Sequence, residues 1–442
     1  MKILIIGGVA AGMSAASKLK RLNPQAHITV FEKGSDVSYG ACGMPYHLSG
    51  IIEKEHSLIA RTAQAFNDQG IEVKLEHTVT LVEPAKKQIR TEHQGIEQTH
   101  TYDQLIVASG AGAIRLPVPG KTLENIHVLN SLEDARQLKK ALVSAKKIAI
   151  IGGGFIGVEV AENLLHMNKD VLLIERLERI LPTYDEALST LAQDALIGAG
   201  LTLRLAETVK AYEGDTAVKK VVTDQGDYEV DLVIEAIGVR PNTSFLKDSG
   251  LNLLGNGAIV VDTHMRTSDP FIYAAGDCVA YPHKLKKTPS FVPLGTHANK
   301  GGRVIAEALM GEETSFQPIL GSGIVKVMDL ALARTGLTLE EAQSEGYEAA
   351  QVEVKARNQA GYYPGAKPIY IHLVYDVKRC VLLGAQMAGE KGVGDRINIL
   401  ALAIQSETLI RDIAFLDMAY SPPFSPVWDP IQVACNQIKC DS

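Results

Sequence analysis

The sequence predicts an α/β fold built on two parallel-sheet units, and three observations carry that prediction. The run "KILIIGGVAAGMSAASKLKRL" reads as a buried strand, a glycine turn and an amphipathic helix. The run "KIAIIGGGFIGVEVAENLLHMNKDVLLIER" repeats the same order from Lys147 onward. A third strand-like run, "IYAAGDC", ends on Gly276-Asp277. With 442 residues and 46% hydrophobic content, the chain has material for two or three domains with real cores.

Each element has its own physical reason. "KILII" and "KIAII" are apolar without alternation, as expected of strands buried on both faces of a parallel sheet. Gly7, Gly8 and Gly12 make the first turn, which opens a helix N-terminus suited to a phosphate. Glu32 closes the next strand 20 residues beyond Gly12, where an acid meets ribose hydroxyls, with Lys33 beside it. The middle glycine of G-x-G-x-x-G is replaced here by Val9. The second unit carries all three glycines, Gly152, Gly154 and Gly157, and ends its strand on Glu175. These are two Rossmann-like dinucleotide-binding units. Glu175 favours the free 2′-hydroxyl of NADH, while the nearby Arg176 and Arg179 keep NADPH open.

The formal net charge of −7 argues against a general nucleic-acid binder. The N-terminus superficially resembles a signal peptide, but a strand and glycine turn explain it better. No run of 18 apolar residues is present, so no membrane span is expected and the chain reads as cytoplasmic. Cys42, Cys278, Cys380, Cys435 and Cys440 show no metal-binding spacing, and their odd number suggests reduced thiols.

Cys42 stands alone in "SYGACGMPYHLSG", and the fifth residue after it is His47. It is either a packed core thiol or a reactive one with no neighbouring cysteine as partner.

The ordered set "GGVAAG", "LIVASGA", "GGGFIG", "AIGVRPN" and "IYAAGDC" resembles the FAD-dependent pyridine nucleotide-disulfide oxidoreductases over the whole chain. That resemblance implies FAD on the first unit, with Glu32 on its ribose and Asp277 on its ribityl chain. Ala108 and Gly110 belong to the same site. It implies NAD(P)H on the second unit, with Gly238 alongside the three glycines. It further implies a split FAD domain (1–112 and 244–318), an inserted NAD(P)H domain (113–243) and a C-terminal α/β dimerisation domain (319–442).

Most of that superfamily uses C-x4-C, which His47 excludes. "SYGACGMPYHLSG", "AGYYPGAK" and "DMAYSPPFSPVWDP" are similar to the single-cysteine branch of coenzyme A-disulfide and coenzyme A persulfide or polysulfide reductases. The branch implies a mixed disulfide between Cys42 and coenzyme A, and catalytic tyrosines at Tyr420 and at Tyr362 or its neighbour Tyr363. It also implies a homodimer in which each subunit lays its tyrosines over the partner's flavin. A short helix beginning near Cys42 is expected to lower the thiol pKa. Ser14, Lys18 and Arg21 recur on one face of the first helix and match positions that contact the coenzyme. Ser38 and, from "GTHANKGGR", Asn299, Lys300 and Arg303 join them, with His297 structural. The rhodanese-like domain fused to some relatives is not expected in these 442 residues. Two alternatives stay open: an NADH oxidase using a Cys42 sulfenic acid, and a non-catalytic flavin redox sensor. The oxidase reading is weakened because Val9-Ala10-Ala11 stands where that group carries a histidine.

Overall fold

A computed structural model describes residues 1–440. The two sequence repeats fold as two separate five-stranded parallel sheets. In the first, Lys2–Ile6 is central, flanked by His27–Phe31 and Gln104–Val107, with Ile71–Lys74 and Ile272–Ala274 outermost. The last of these strands returns to the sheet after the whole second unit has intervened. In the second sheet Lys147–Ile151 lies between Asp170–Ile174 and Leu232–Glu235, with Thr202–Arg204 and Ile126–His127 at the edges. Both central strands bury every residue after their leading lysine, which is why they lack alternation.

The helix that follows the first turn, Ala10–Leu22, packs against Gly295–Leu309. Their approach depends on Gly302, where a Cβ would stand 2.2 Å from the Ala11 carbonyl oxygen. This close crossing sets Asn299 over Ser14, whose Oγ donates to Asn299 Oδ1 at 2.7 Å.

From Gly323 the chain forms a five-stranded antiparallel sheet, with the helix Val393–Gln405 packed on it. This sheet is latched to the second unit at Asp185, the N-cap of the helix Glu186–Gly198. The Asp185 carboxylate accepts from Gln386 and Gln351 and meets His372 Nδ1 at 2.6 Å. Each of its oxygens is already hydrogen-bonded within this network.

The expectation of five reduced thiols is corrected here. Cys380, in the turn between Pro368–Asp376 and Val381–Gly389, is disulfide-bonded to Cys440. A parity argument from sequence cannot see that the fold brings a hairpin turn against the C-terminal tail. No helix among the described residues is long and apolar enough to cross a membrane.

Candidate active site

Each glycine turn leaves a helix N-terminus open. Val9 and Gly154 are the respective N-caps, and neither offers a side-chain cap. Neither helix carries an acid in its first turn. Unsatisfied N–H groups and the positive end of a helix dipole are therefore left for an anion. Where the backbone folds on itself only glycine fits. A Cβ at Gly12 would lie 1.9 Å from the Gly7 carbonyl oxygen, and one at Gly157 2.0 Å from that of Gly152. A Cβ at Gly154 would meet nothing within 4 Å. That space fits a dinucleotide pyrophosphate approaching the turn.

The two acids behave alike. Glu32 Oε2 accepts from Gly8 N–H at 2.7 Å and Oε1 from Gly34 N–H at 2.8 Å. Glu175 accepts from Gly153 N–H at 2.6 Å and from Leu177 N–H at 2.9 Å. Each carboxylate is thus buried and fixed at the mouth of its turn, where ribose hydroxyls would meet it. Asp277 differs, because burial alone raises its pKa. A half-buried carboxyl in that position suits the hydroxyls of a ribityl chain. Ala108 closes over Gly7, whose φ of +99° the turn requires. Gly110 and Gly238 flank the antiparallel pair Ala111–Ala113 and Val239–Pro241, which links the two units. Lys33 points to solvent. The residues present fit FAD on the first unit and a nicotinamide dinucleotide on the second.

The Cys42 loop hangs from the first turn, since Ser38 N–H donates to the Gly8 carbonyl at 2.9 Å. Arg136 of the helix Leu132–Ala141 clamps it by pairing with both Asp36 and Glu55. His47 is buried, its Nδ1 against the Ile52 carbonyl and its Nε2 3.1 Å from Lys139 Nζ. The residue at the fifth position is therefore a structural tie between the loop and the second unit. Cys42 itself lies in the single turn Ala41–Gly43 and is free and exposed, while Cys278 is fully buried among core residues.

The expected fall in the Cys42 pKa is not found. Partial burial pushes the thiol up, and the carboxylates of Glu159 and Asp277 push it further. The helix beyond, Met44–Leu48, spans little more than one turn and does not outweigh them. Glu159 was missed from sequence. It sits on the second-unit helix Phe155–His166, where burial and then repulsion from Glu162 push its carboxyl up to about 7. Its signal was there to read: a carboxylate two residues after Gly157, on the helix that the glycine turn opens.

A cleft of about 530 Å³ opens beside the loop. It is lined by Ser14, Arg21, Ser38, Asn299 and Arg303, and reaches Gly40, two residues before Cys42. Two expected contacts lie elsewhere. Lys18 turns away to an ion pair with Glu307 at 2.9 Å, and Lys300 is exposed outside the lining. Ser17 and Arg61 line the cleft without having been singled out from sequence.

Tyr362 and Tyr420 meet hydroxyl to hydroxyl at 3.1 Å, and this bond raises the Tyr420 pKa. Tyr363 is exposed beside them without that contact. The pairing is organised underneath by a buried ion pair, Arg396 to Asp429 at 2.8 Å. Arg396 also donates to the Asn358 carbonyl, and Ala360 N–H donates to that of Pro422. Sequence reading missed this clip, because nothing in either segment reports that they cross.

Comparison with known proteins agrees with this geometry. The sequence model described as pyridine nucleotide-disulphide oxidoreductase matches residues 1–298, and its dimerisation domain matches 323–430. The chain is 37% identical over 441 residues to a CoA-dependent NAD(P)H sulfur oxidoreductase of Pyrococcus furiosus, covering 99% of each. It is 33% identical over 441 residues to an NADH oxidase of Methanocaldococcus jannaschii, covering 99% of this chain and 98% of that one. An NAD-dependent persulfide reductase from A. fulgidus superposes with a TM-score of 0.96 at 34% identity, covering 99% of this chain and 83% of that one. With two dinucleotide cradles, an intervening lone thiol and matches spanning nearly all its length, the chain belongs to the pyridine nucleotide-disulphide oxidoreductase family.

Proposed function

We propose that this protein is a flavin-dependent NAD(P)H reductase of coenzyme A disulfide, or of coenzyme A persulfide and polysulfide, working through Cys42. One observation carries the reading: a cleft lined by arginines and hydroxyls leads to within two residues of an exposed, partnerless thiol. Coenzyme A brings phosphates for the arginines and a sulfur for the thiol.

The Cys42 thiolate attacks the substrate sulfur bound to coenzyme A. A Cys42–coenzyme A disulfide forms, the substrate S–S bond breaks, and the expelled thiolate or hydrosulfide takes a proton. Tyr420, hydrogen-bonded to Tyr362, is the donor at that step. When bound at the first unit, FAD would supply two-electron chemistry between NAD(P)H and the disulfide at Cys42. Glu32 and Asp277 would hold that cofactor through its hydroxyls, and Glu175, fixed by Gly153 N–H as Glu32 is by Gly8 N–H, would hold the ribose of the nicotinamide nucleotide.

The tyrosines belong to the partner's site in a homodimer. Around Tyr420, Phe415, Phe424, Val427 and Trp428 are each at least half exposed in the single chain, an apolar strip that calls for a covering surface. A second copy covers it and brings the tyrosine pair to the opposite Cys42.

The NADH oxidase relative favours a second reading, a Cys42 sulfenic acid turning over O₂. Val9-Ala10-Ala11 leaves the first turn without an ionisable side chain to serve it. The test is steady-state oxidation of NADH and NADPH by the flavin-loaded protein with coenzyme A disulfide, coenzyme A persulfide and O₂ as acceptors. Turnover on a coenzyme A sulfur that is lost in Cys42→Ser supports the proposal. Turnover on O₂ alone defeats it.

A further inference from the structure

We propose that Arg61 is the third phosphate-reading cation of the cleft and sets its preference for sulfur carried on coenzyme A over sulfur carried on uncharged thiols. This rests on the coenzyme A reading above and adds a residue that neither the motifs nor the resemblance supplied.

Arg61 is pre-positioned. Its guanidinium lies 4.5 Å from the centre of the Phe66 ring, and Phe66 is itself 1% exposed. Thr62 caps the helix Ala63–Asn67 that holds the ring in place. One guanidinium nitrogen, Nη1, donates to Gln69 Oε1 at 2.9 Å, which fixes the plane and leaves the other donors of the fork free. Stacking and a neutral hydrogen-bond partner hold the side chain without neutralising it.

Arg61 has no ion-pair partner among the described residues, and neither do its neighbours in the cleft. Among the described residues, Arg21, Arg61 and Arg303 all line the cleft and none has a carboxylate within ion-pairing distance. Glu307, whose pKa Arg303 helps to lower, is taken by Lys18. Three guanidinium groups without ion pairs line one cleft of a net-acidic protein, which suits that cleft to an anion. Coenzyme A carries a pyrophosphate and a 3′-phosphate, enough to engage all three.

The position is also tied to the chemistry. Ala60 N–H donates to the Ser38 carbonyl at 2.8 Å, and Gly40 N–H donates to the Leu58 carbonyl at 2.8 Å. The segment preceding Arg61 is thus laced to the one preceding Cys42. A phosphate held at Arg61 is placed at a set distance from the thiol, so a coenzyme-borne sulfur gains from it and a phosphate-free disulfide does not.

The test uses the flavin-loaded protein with coenzyme A disulfide and pantetheine disulfide, which has the same reacting arm without phosphates. Arg61→Ala should raise KM for coenzyme A disulfide by roughly 10- to 50-fold, as for loss of a charge-assisted contact. Its kcat and its kinetics with pantetheine disulfide should stay within about twofold, and Arg61→Lys should restore part of the loss. Calorimetric titration of coenzyme A into flavin-loaded Cys42→Ser, with and without Arg61→Ala, reads the same contact without turnover. Equal coenzyme A affinity in the two overturns the inference while leaving the function standing. So does an equal rise in KM for both disulfides, which would mark Arg61 as structural. A protein that reduces no coenzyme A sulfur, yet loses about tenfold in coenzyme A affinity on Arg61→Ala, would defeat the function and keep the arginine's role.

Discussion

The two nucleotide units share one scaffold and turn the same helix face to opposite uses. Counting from the third glycine of each turn, Ser14, Ser17, Lys18 and Arg21 of the first helix stand where Glu159, Glu162, Asn163 and His166 stand on the second. In the first unit this face opens on the cleft, and Arg21 has no acidic partner there. In the second it is closed. Ser49 of the Cys42 loop donates to Asn163, and Lys326 of the C-terminal sheet pairs with Glu162. One unit lines the cleft with arginine and serine, while the other sets a single carboxylate, Glu159, near the thiol. The difference shows that the repeated strand, turn and helix fix where a cofactor sits, and that four side chains per helix decide what lies beside it.

The largest effect lies outside both units. Arg396→Met leaves Asp429 buried without its partner and should cost about 3–5 kcal/mol in denaturant unfolding. It should also lower kcat, because the clip beneath the tyrosine pair is lost. An unchanged midpoint would show that the C-terminal segments do not depend on it.

Next come the glycines that make the units alike. Gly12→Ala and Gly157→Ala each force a Cβ onto backbone and should destabilise by about 3 kcal/mol. The first should lose flavin absorbance and the second should raise KM for NAD(P)H. Gly154→Ala meets no atom of the chain, so it should leave stability within about 1 kcal/mol and still weaken NAD(P)H binding. If Gly154→Ala bound NAD(P)H as well as the parent, the proposed pyrophosphate position would be wrong.

Two smaller changes separate the helix faces. Arg21→Ala should raise KM for coenzyme A disulfide and leave the reactivity of Cys42 alone. Glu159→Gln should do the reverse. Burial is the largest cause of the raised thiol pKa, but Glu159→Gln removes the stronger of the two carboxylate contributions, so the pH midpoint of Cys42 alkylation should fall. Glu159 also sets a pH dependence of stability. Its pKa is raised from 4.5 to about 7 in the fold, so the folded state binds the proton more tightly than the unfolded chain. Its contribution is complete below about 4.5 and is lost as pH rises through about 7. Unfolding midpoints across that window should decline in the parent and flatten in Glu159→Gln.

Much of this was legible in the sequence because local geometry dictates local composition. "KILII" and "KIAII" declare doubly buried strands, and the glycines at 12 and 157 are needed by contacts within a few residues of themselves. Glu32 and Glu175 follow from the same repeat. What was not legible depends on distant segments meeting. Lys18 shares a helix face with Arg21, yet Glu307 on the crossing helix captures it. Arg61 is unremarkable in "LIARTAQAF" until the fold brings the Phe66 ring to 4.5 Å from its guanidinium. The disulfide of Cys380 with Cys440 and the clip of Arg396 on Asp429 join residues whose neighbours give no sign of a partner. The direction of the thiol pKa shift was not legible for the same reason, since burial raises it most, and the carboxylates that add to this, Glu159 and Asp277, lie far off in the chain.

The central claim is that Cys42 exchanges disulfides with coenzyme A, and intact-mass spectrometry of the purified protein tests it most directly. After incubation with coenzyme A disulfide in the absence of NAD(P)H, the parent should gain the mass of one coenzyme A. That gain should be removed by dithiothreitol and absent from Cys42→Ser. A parent that gains nothing, or only a single oxygen at Cys42, would contradict the account and move the chemistry to a sulfenic acid.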